Sequence, residues 1–573
     1  MMSNQITGAD ALIKSLIAEG VDTVFGYPGG AIIPVFDRLY DYKQELKHIL
    51  VRHEQGATHA AQGYARVSNK PGVVIVTSGP AATNAITGIS DAMMDSTPMI
   101  VITGQVGSAL LGCDAFQETD VIGITQPVTK WSYQIRDPRA ISWAVSRAFH
   151  IATTGRPGPV VLDFAKDAQV GMVDWVYEKC KYIRSYNPFP AIKETELDKV
   201  AELINNAERP MIISGHGVMI SEAEKELVAV AEKSDIPVVN TLLGLSTIPT
   251  KHPLYKGMLG MHGNVAPNIK TNECDVLIAI GMRFDDRVTG DLNKYAKQAK
   301  VIHIDIDSSE FDKNVLTTAT IHGDAKAVLA QLLPKLNKKE HTEWLKTFDI
   351  CAEVEQKKVI NLELNPKTEE LTMGEVVAKV SEATENKAVL VTDVGQNQMF
   401  GAKYFQYTMP KSVITSGGLG TMGFGLPAAI GAKMGAPERT VCFFTGDGGI
   451  QMTIQELGVI LQYNVDVKII ILNNNFLGMV RQWQELFYSE RYSETPMVNP
   501  DFNLIAQAYG IANELVTKRE DLDAAIKRMV EHKGAYILNV GIITNGLIFP
   551  MTPAGAAVDT IMLSATEKYE INK

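Results

Sequence analysis

The sequence predicts an α/β protein of three doubly wound parallel-sheet domains, and three observations carry that prediction. Short β-branched apolar runs recur along the chain, they lack the alternation of a half-exposed strand, and longer Ala/Leu-rich segments of helical pattern separate them. A strand that is apolar throughout must be covered on both faces. Helices inserted between successive strands supply that cover, as βαβ units with parallel pairing. At 573 residues the chain exceeds one hydrophobic core, and the length alone suggests roughly three to four domains.

In chain order, Met1 to Gly20 carries Asp10, Lys14 and Glu19 among apolar residues at helical spacing and reads as a first helix. Strands are expected at Val73–Thr77, Met99–Thr103 and Val160–Phe164, then at Val276–Gly281 and Val301–Ile306, and finally at Val389–Thr392, Val441–Phe444 and Val467–Leu472. Two stretches read as seams: Arg184–Thr195, with Pro188 and Pro190, and the lysine-rich Leu336–Lys367, closed by Asn365-Pro366. They give an N-terminal domain over 1–185, a central domain over 190–345, a C-terminal domain over 368–550 and a tail over 551–573.

Composition narrows the function. With 54 Lys and Arg against 65 Asp and Glu, the net charge is -11 and no long basic run occurs, which argues against nucleic acid or an anionic membrane as partner. A small molecule is the better ligand. The 46% hydrophobic and 21% charged content is that of a globular protein, and no apolar run approaches the ~18 residues of a membrane span. The five cysteines, Cys113, Cys180, Cys274, Cys351 and Cys442, lie far apart with no Cys-x-x-Cys pair, so a reducing compartment is expected. No signal or transit pattern opens the chain, and the cytoplasm is the expected location.

The most informative segment is the strand at 441–445, which runs into Gly446-Asp447-Gly448-Gly449, then a helix, then a second strand ending in Asn473-Asn474-Asn475. Asp447 and Asn474, 27 positions apart, both fall at carboxyl ends of parallel strands, the edge where such sheets bind ligands. A carboxylate and an amide oxygen are hard ligands that suit Mg2+, which fills its remaining positions with water and phosphate oxygens. The glycines let backbone N–H groups reach those phosphates. Taken alone, Gly-Asp-Gly is far more often just a tight turn. The combined pattern resembles the diphosphate-binding signature of thiamine diphosphate enzymes.

A second segment, Arg52-His53-Glu54-Gln55-Gly56-Ala57, lies between the apolar His48–Val51 and a helical Thr58–Val67, which puts Glu54 at a strand-to-helix junction. An acid there commonly just compensates the helix dipole. Thiamine chemistry also needs a buried acid to hydrogen-bond the aminopyrimidine and shuttle its proton, and a pocket of low dielectric would raise its pKa. The middle block adds Ser214-Gly215-His216-Gly217, Gly260-Met261-His262-Gly263 and His303-Ile304-Asp305-Ile306-Asp307. Glycines after a strand and an acid closing a later one match dinucleotide binding, although no complete G-x-G-x-x-G is present.

Over nearly its whole length the chain resembles the catalytic subunits of the acetohydroxyacid (acetolactate) synthase family. The stretches that carry this are Phe25–Ala31 (FGYPGGA), Arg52–Ala57, Thr77–Asn84 (TSGPAATN), Ala115–Asp120 (AFQETD), Gly155–Val160 (GRPGPV), Arg283–Gly290 (RFDDRVTG), Gly446–Gly449 and Gly478–Gln484 (GMVRQWQ). RFDDRVTG and the Gln-Trp-Gln segment are the more specific. The resemblance implies thiamine diphosphate, Mg2+ and FAD as cofactors, with no net redox role for the flavin. It implies decarboxylation of pyruvate and ligation of the remaining two-carbon unit to a second 2-ketoacid, pyruvate or 2-ketobutyrate, the first common step of branched-chain amino acid biosynthesis. The implied assembly is a homodimer or tetramer with active sites at the subunit interface, with a small regulatory subunit as a further partner.

Carried onto this sequence, the resemblance assigns Glu54, Gln117, Gly30 and Lys166 to catalysis, and Asp447, Asn474 and the carbonyl of Phe476 to the metal. Pro80, Asn84, Val394, Gly395, Gln396, Gly420, Met422, Gly446, Gly448, Gly449 and Met479 go to thiamine diphosphate. FAD takes Arg156, Gly215, Gly217, Thr241, Leu242, His262, Arg283, Asp285, Arg287, Asp305 and Asp324. Phe116, Met479, Val480 and Trp483 form the substrate site, with Trp483 walling the second ketoacid. Without the family, Met422 and Met479 read as core and Arg283 with Asp285 as a surface ion pair. Asn397 and Trp131 depart from the family, which usually has His at both places. Rival readings are a FAD-dependent pyruvate oxidase, a FAD-free catabolic acetolactate synthase, and a non-catalytic nucleotide-binding module.

Overall fold

The computed structural model describes residues 5–570, so the parts of the expected N-terminal helix and C-terminal tail at residues 1–4 and 571–573 lie outside the described residues. Three six-stranded sheets, parallel throughout, follow one another along the chain. Every strand expected from the sequence is present within one to two residues at either end.

The first sheet comprises Thr23–Tyr27, Lys47–Leu50, Gly72–Val76, Met99–Gln105, Trp131–Ile135 and Pro159–Ala165. Numbered along the chain, these lie side by side in the order 2-1-3-4-6-5. The third sheet, Val389–Thr392, Val413–Ile414, Val441–Gly446, Lys468–Asn473, Ala512–Val516 and Tyr536–Gly541, has the same order. The middle sheet, Pro210–Ser214, Val238–Asn240, Tyr255–Met258, Val276–Ile280, Lys300–Asp305 and Ala319–His322, runs 3-2-1-4-5-6. Chain direction across the sheet therefore reverses between strands 1 and 3 in the outer sheets and between 1 and 4 in the middle one. A crevice opens at the carboxyl edge of each reversal, where ligands bind in such folds.

Three sequence expectations are corrected in detail. The N-terminal segment is a short strand, Gln5–Thr7, paired antiparallel with Met172–Asp174, before the helix Gly8–Ala18 begins. The helix expected over 58–67 begins at Glu54 and runs to Ser68, because His53 is extended and its ring nitrogen accepts the Gln55 N–H at 3.2 Å as an N-cap. The lysine-rich seam at 336–367 contains the helix Thr342–Glu355, whose Trp344, Phe348 and Cys351 form a buried stripe against the middle sheet.

The outer sheets are joined by a crossing of the helices Glu54–Ser68 and Gly425–Gly435, and one apolar cluster runs from Phe25 and Val74 through the crossing to Val391 and Phe443. The helices approach closely enough that a Cβ on Gly63 would lie 2.0 Å from the Ala428 carbonyl, and one on Gly431 would lie 1.8 Å from that of Ala60. The tail packs on the middle domain: Val558, Ile561 and Leu563 are buried in its core, and the Thr552 N–H donates to the Met261 carbonyl at 2.7 Å. Among the described residues no helix is long and apolar enough to cross a membrane.

Candidate active site

Three helices start at the carboxyl edge of the third sheet and point their N-termini at one small cavity: Gln396–Tyr404 after Gly395, Asp447–Met452 after Gly446, and Gly478–Phe487 after Leu477. Their first-turn N–H groups, of which Gly448's donates to Asp447 Oδ1 at 3.1 Å, and their aligned dipoles make the cavity attractive to anions. It is lined by Val394, Gly395, Gln396, Asn397, Met422, Gly446, Asp447, Gly448, Gly449, Asn474, Phe476, Met479 and Val480, among others. The sequence reading thus gathered residues from five separate segments that the fold brings to one place.

Local packing explains the glycines. Gly395 has φ +124, which side chains rarely adopt, and a Cβ on Gly478 would strike Gln396 Oε1 at 2.2 Å and Asn474 Nδ2 at 2.9 Å. Asp447 and Asn474 are 1% and 2% exposed. Burial pushes the Asp447 carboxyl above its ordinary value, opposed by Asn499, whose Nδ2 donates to Oδ2 at 2.7 Å. The Asn474 side-chain oxygen accepts the Phe476 N–H at 3.1 Å, which turns the loop that presents the Phe476 carbonyl.

The charge of this cavity is its strongest diagnostic. Among the described residues its lining holds no lysine, arginine or histidine, and Asp447 is its one charged group. A diphosphate placed beside that buried carboxylate would be repelled by several kcal/mol unless a cation lay between them. The donor set of one carboxylate, one amide and one carbonyl suits Mg2+ with phosphate oxygens completing its shell. No cluster of three or more His, Cys, Asp or Glu that could hold a metal occurs among the described residues. Two buried amide oxygens of the lining, on Gln396 and Asn397, have no hydrogen-bond partner within the described residues. The residues present therefore fit a metal-bound diphosphate.

A larger cavity of about 610 Å³ opens at the middle sheet's reversal and extends to the third domain. It takes in Arg156, Gly217, Thr241, Leu242, His262, Arg283, Asp285, Arg287, Asp305 and Asp324, together with Gly420, Met479 and Trp483. Its size and mixed lining suit an extended dinucleotide. His262 is held neutral, its pKa lowered to about 3 by burial and by the Lys403 and Arg287 charges, and its Nδ1 has no partner. Asp305 is pushed up to about 7 by burial.

Several of these side chains are already engaged. Arg156 pairs with Glu310 at 2.8 Å and Asp307 at 3.3 Å, and Arg283 lies 3.7 Å from Asp285, the ion pair its sequence alternative described. Asp285 and Asp324 cap the helices Asp286–Thr289 and Ala325–Leu332. Gly215 is outside the lining. A Cβ there would meet the Gly281 carbonyl at 2.2 Å, so close strand packing requires this glycine.

The remaining predicted residues form a third group, on the carboxyl edge of the first sheet, and line neither cavity. Asn84 Nδ2 donates to Glu54 Oε2 at 3.0 Å, and Lys166 Nζ donates to the Gly30 carbonyl at 3.1 Å. Gln117, at φ +61, lies over Gly79, where a Cβ would come within 2.7 Å of the Gln117 carbonyl. Pro80 and Asn84 are exposed, and Phe116 is 88% exposed. Glu54 itself is only partly buried in the single chain, contrary to the enclosed setting expected for it. Of the two departures, Asn397 lines the small cavity, whereas Trp131 stacks on Tyr133 in an edge strand away from both.

Sequence reasoning missed Asn499 and Asp393. Asn499 comes from a loop without a motif. Asp393 is fully buried and takes the N–H groups of Val394, Gly423 and Gly425, so it braces two walls of the small cavity. An acid closing the apolar strand at 389–392 was its signal.

Comparison with known proteins follows the same three-part division. Residues 6–124 match the thiamine pyrophosphate enzyme N-terminal TPP binding domain, 197–332 the central domain, and 393–540 the C-terminal TPP binding domain. The acetolactate synthase large subunit of Lactococcus lactis subsp. lactis is 44% identical over 568 residues, covering 98% of this chain and 97% of the relative. A probable acetolactate synthase large subunit of Methanocaldococcus jannaschii is 44% identical over 580 residues, covering 99% and 97%. The acetolactate synthase isozyme 2 large subunit of Escherichia coli is 42% identical over 556 residues, covering 96% and 98%. Likeness of this degree from end to end, on a chain whose third sheet builds an anion cradle around Asp447, means that the chain belongs to the acetolactate synthase large subunits, within the thiamine pyrophosphate enzymes.

Proposed function

We propose how this chain performs the reaction of its family, in which one pyruvate is decarboxylated and its remaining two carbons are joined to a second 2-ketoacid, giving 2-acetolactate from pyruvate or 2-aceto-2-hydroxybutyrate from 2-ketobutyrate. The observation that carries the reading is the cation-free cradle: three helix N-termini with Asp447 and Asn474 accept a diphosphate only together with a divalent metal. Asp447, Asn474 and the Phe476 carbonyl would hold Mg2+, while the N–H groups after Gly395, Gly446 and Leu477 would receive phosphate oxygens. Thiamine diphosphate, when bound, supplies the electron sink for decarboxylation.

The chain's own residues do the rest. Met422 and Met479, apolar residues of the cavity lining, would exclude water from the reacting carbon. Glu54 holds and exchanges one proton at its carboxyl oxygen, oriented by Asn84. Gln117, Gly30, Pro80, Phe116 and Lys166 close the substrate side. Val480 and Trp483 face the second ketoacid, and the larger cavity holds FAD without net redox change.

Two features support assembly from at least two copies: the Glu54 group lines neither cavity of its own chain, and its Gly30, Pro80, Asn84, Phe116 and Lys166 are exposed. A homodimer, alone or within a tetramer, joins the Glu54 edge of one chain to the Asp447 cradle of another. The relatives' designation as large subunits supports a small regulatory partner, and their name supports a place in branched-chain amino acid biosynthesis. We assign domains at 1–185, 190–345 and 368–550, with the tail 551–573.

Product analysis on mixed pyruvate and 2-ketobutyrate tests this. Both acetohydroxyacids form only when thiamine diphosphate, Mg2+ and FAD are all supplied, and no oxygen is consumed. Product without the metal, or acetyl phosphate or acetate with oxygen uptake, overturns it.

A further inference from the structure

The two cavities share a wall. Ser416, Gly417, Gly418, Leu419 and Gly420 line the large one, and two residues further on Met422 lines the small one. This segment has no regular secondary structure, and Gly420 and Gly423 lie at φ +72 and +85. Glycine-rich backbone of this kind keeps a single shape only where something outside it fixes it.

Here the fixing groups come from the first domain. The Asp95 carboxylate accepts the Gly417 N–H at 2.9 Å through Oδ2 and the Gly418 N–H at 2.7 Å through Oδ1. Arg66 Nη2 pairs with Asp95 Oδ2 at 2.8 Å, and Arg66 Nη1 donates to the Thr415 carbonyl. Asp91 accepts the Ser416 hydroxyl proton, and the Ser416 oxygen accepts the Thr421 N–H at 2.8 Å. The Asp95 and Arg66 side chains are 0% and 5% exposed, so these charge-assisted bonds form away from water, where losing one partner is costly. The middle domain joins through His216 Nδ1, 3.0 Å from the Asp95 carbonyl. The wall between the cavities is thus held by a buried network reaching into all three domains.

We propose that Asp95, with Arg66 and Asp91, is a positioning residue that makes the two cavities bind their ligands cooperatively. A flavin against Gly417–Gly420 completes a wall already tied to Asp95, and the same tie fixes Met422 on the thiamine diphosphate side. The inference rests on the cavity assignments proposed above. It gives a flavin with no net redox role a mechanical one. Because coupling is reciprocal, each cofactor raises affinity for the other by one common factor, typically in the range of about 5–150-fold.

The test is calorimetric titration of the full chain with thiamine diphosphate and Mg2+, with and without FAD, and the reverse titration followed by flavin fluorescence. In the wild type, affinity for thiamine diphosphate rises at least about fivefold with FAD, and the flavin absorbance band shifts when thiamine diphosphate is added. In Asp95→Asn each cofactor still binds alone, while the affinity ratio falls to about one and the band shift is lost. Should that variant fail to fold, Ser416→Ala, which removes the ties to Asp91 and to the Thr421 N–H while leaving Asp95 and Arg66 in place, lowers the ratio in the same direction. Undiminished cooperativity in the variants that fold, or both cofactors binding the wild type independently, overturns the coupling alone. A wild type that binds no flavin overturns the cavity assignment and the coupling together.

Discussion

The first and third sheets share one strand order and one crevice position, yet their carboxyl edges are opposites. In the third, the crevice is enclosed by its own chain, with Asp447 and Asn474 almost wholly buried. In the first, Gly30, Asn84 and Phe116 stand exposed, and Glu54 is only partly covered. Topology fixes where on a sheet a ligand is met. The loops, and what covers them, decide which half of the chemistry is performed there. The enclosed edge gathers Asp447, Asn474 and three helix N-termini into a setting that fits a diphosphate carrying its own metal ion, whereas the open edge offers Glu54 and Lys166 on a surface that is half exposed.

The sharpest way to break that contrast is complementation. Glu54→Gln lowers kcat by roughly 10²–10⁴-fold, the range of a lost acid–base group, with thiamine diphosphate affinity nearly unchanged. Asp447→Ala abolishes metal-dependent cofactor binding. Each variant alone is close to inactive. Unfolded and reassembled as a 1:1 mixture, they recover about one quarter of wild-type activity, because half the dimers are mixed and each mixed dimer contains one intact site. If every site were built within one chain, the mixture would stay inactive, and the reading of the open edge would fall.

The seam between the two domains gives the next effect, on stability. Gly431→Ala forces a methyl into the Ala60 carbonyl across the helix crossing and destabilises the chain by about 1–3 kcal/mol, read as a lowered Tm. Gly30→Ala, on the open edge, meets nothing within 4 Å and leaves Tm unchanged while activity falls. Equal losses of Tm would show that the open edge is packed after all.

Legibility in the sequence follows the same divide. Many strands buried on both faces, such as Val74 to Val76 and Ile469 to Leu472, announce themselves as unbroken apolar runs, although the buried interior strands Val238–Asn240 and Tyr536–Gly541 were not among those expected. The strands at sheet edges, Trp131–Ile135, Tyr255–Met258 and Ala512–Val516, are half exposed, carry mixed residues, and gave no such signal. The Asp447 cradle was readable because its parts are tied to strand ends at fixed spacing. Asn499 and Asp95 were not, since each acts from a distant segment whose approach only tertiary packing decides.

A smaller effect separates the chemistry of the two cavities. Trp483 stands on the helix that begins at the small cavity and borders the large one, against Phe487 at 5.0 Å. If it contacts the extra methylene of 2-ketobutyrate, Trp483→Leu shifts the product ratio toward acetolactate by roughly 10–200-fold, or about 1–3 kcal/mol. Competition between the two ketoacids measures it, and an unchanged ratio removes the role.

The smallest effect is a pH dependence on the middle domain. Burial pushes the Asp305 carboxyl up to about 7, with Oδ1 accepting the Asp307 N–H at 2.8 Å. Its neighbour His303, with Nε2 3.8 Å from Oδ2, has its own pKa lowered by burial and brings no compensating charge. If FAD binds as proposed, with a ribose hydroxyl donating to the ionised acid, binding draws the Asp305 pKa down and releases a proton. The sign follows: affinity is weaker at pH 6, where the acid is mostly protonated, and tightens toward pH 8, by at most about tenfold. Flavin fluorescence titrations across that range should follow a single proton, and Asp305→Asn should flatten the curve. A wild-type affinity that ignores pH, or a slope that survives the substitution, would leave the middle cavity's acid with a purely structural task, like the caps Asp285 and Asp324.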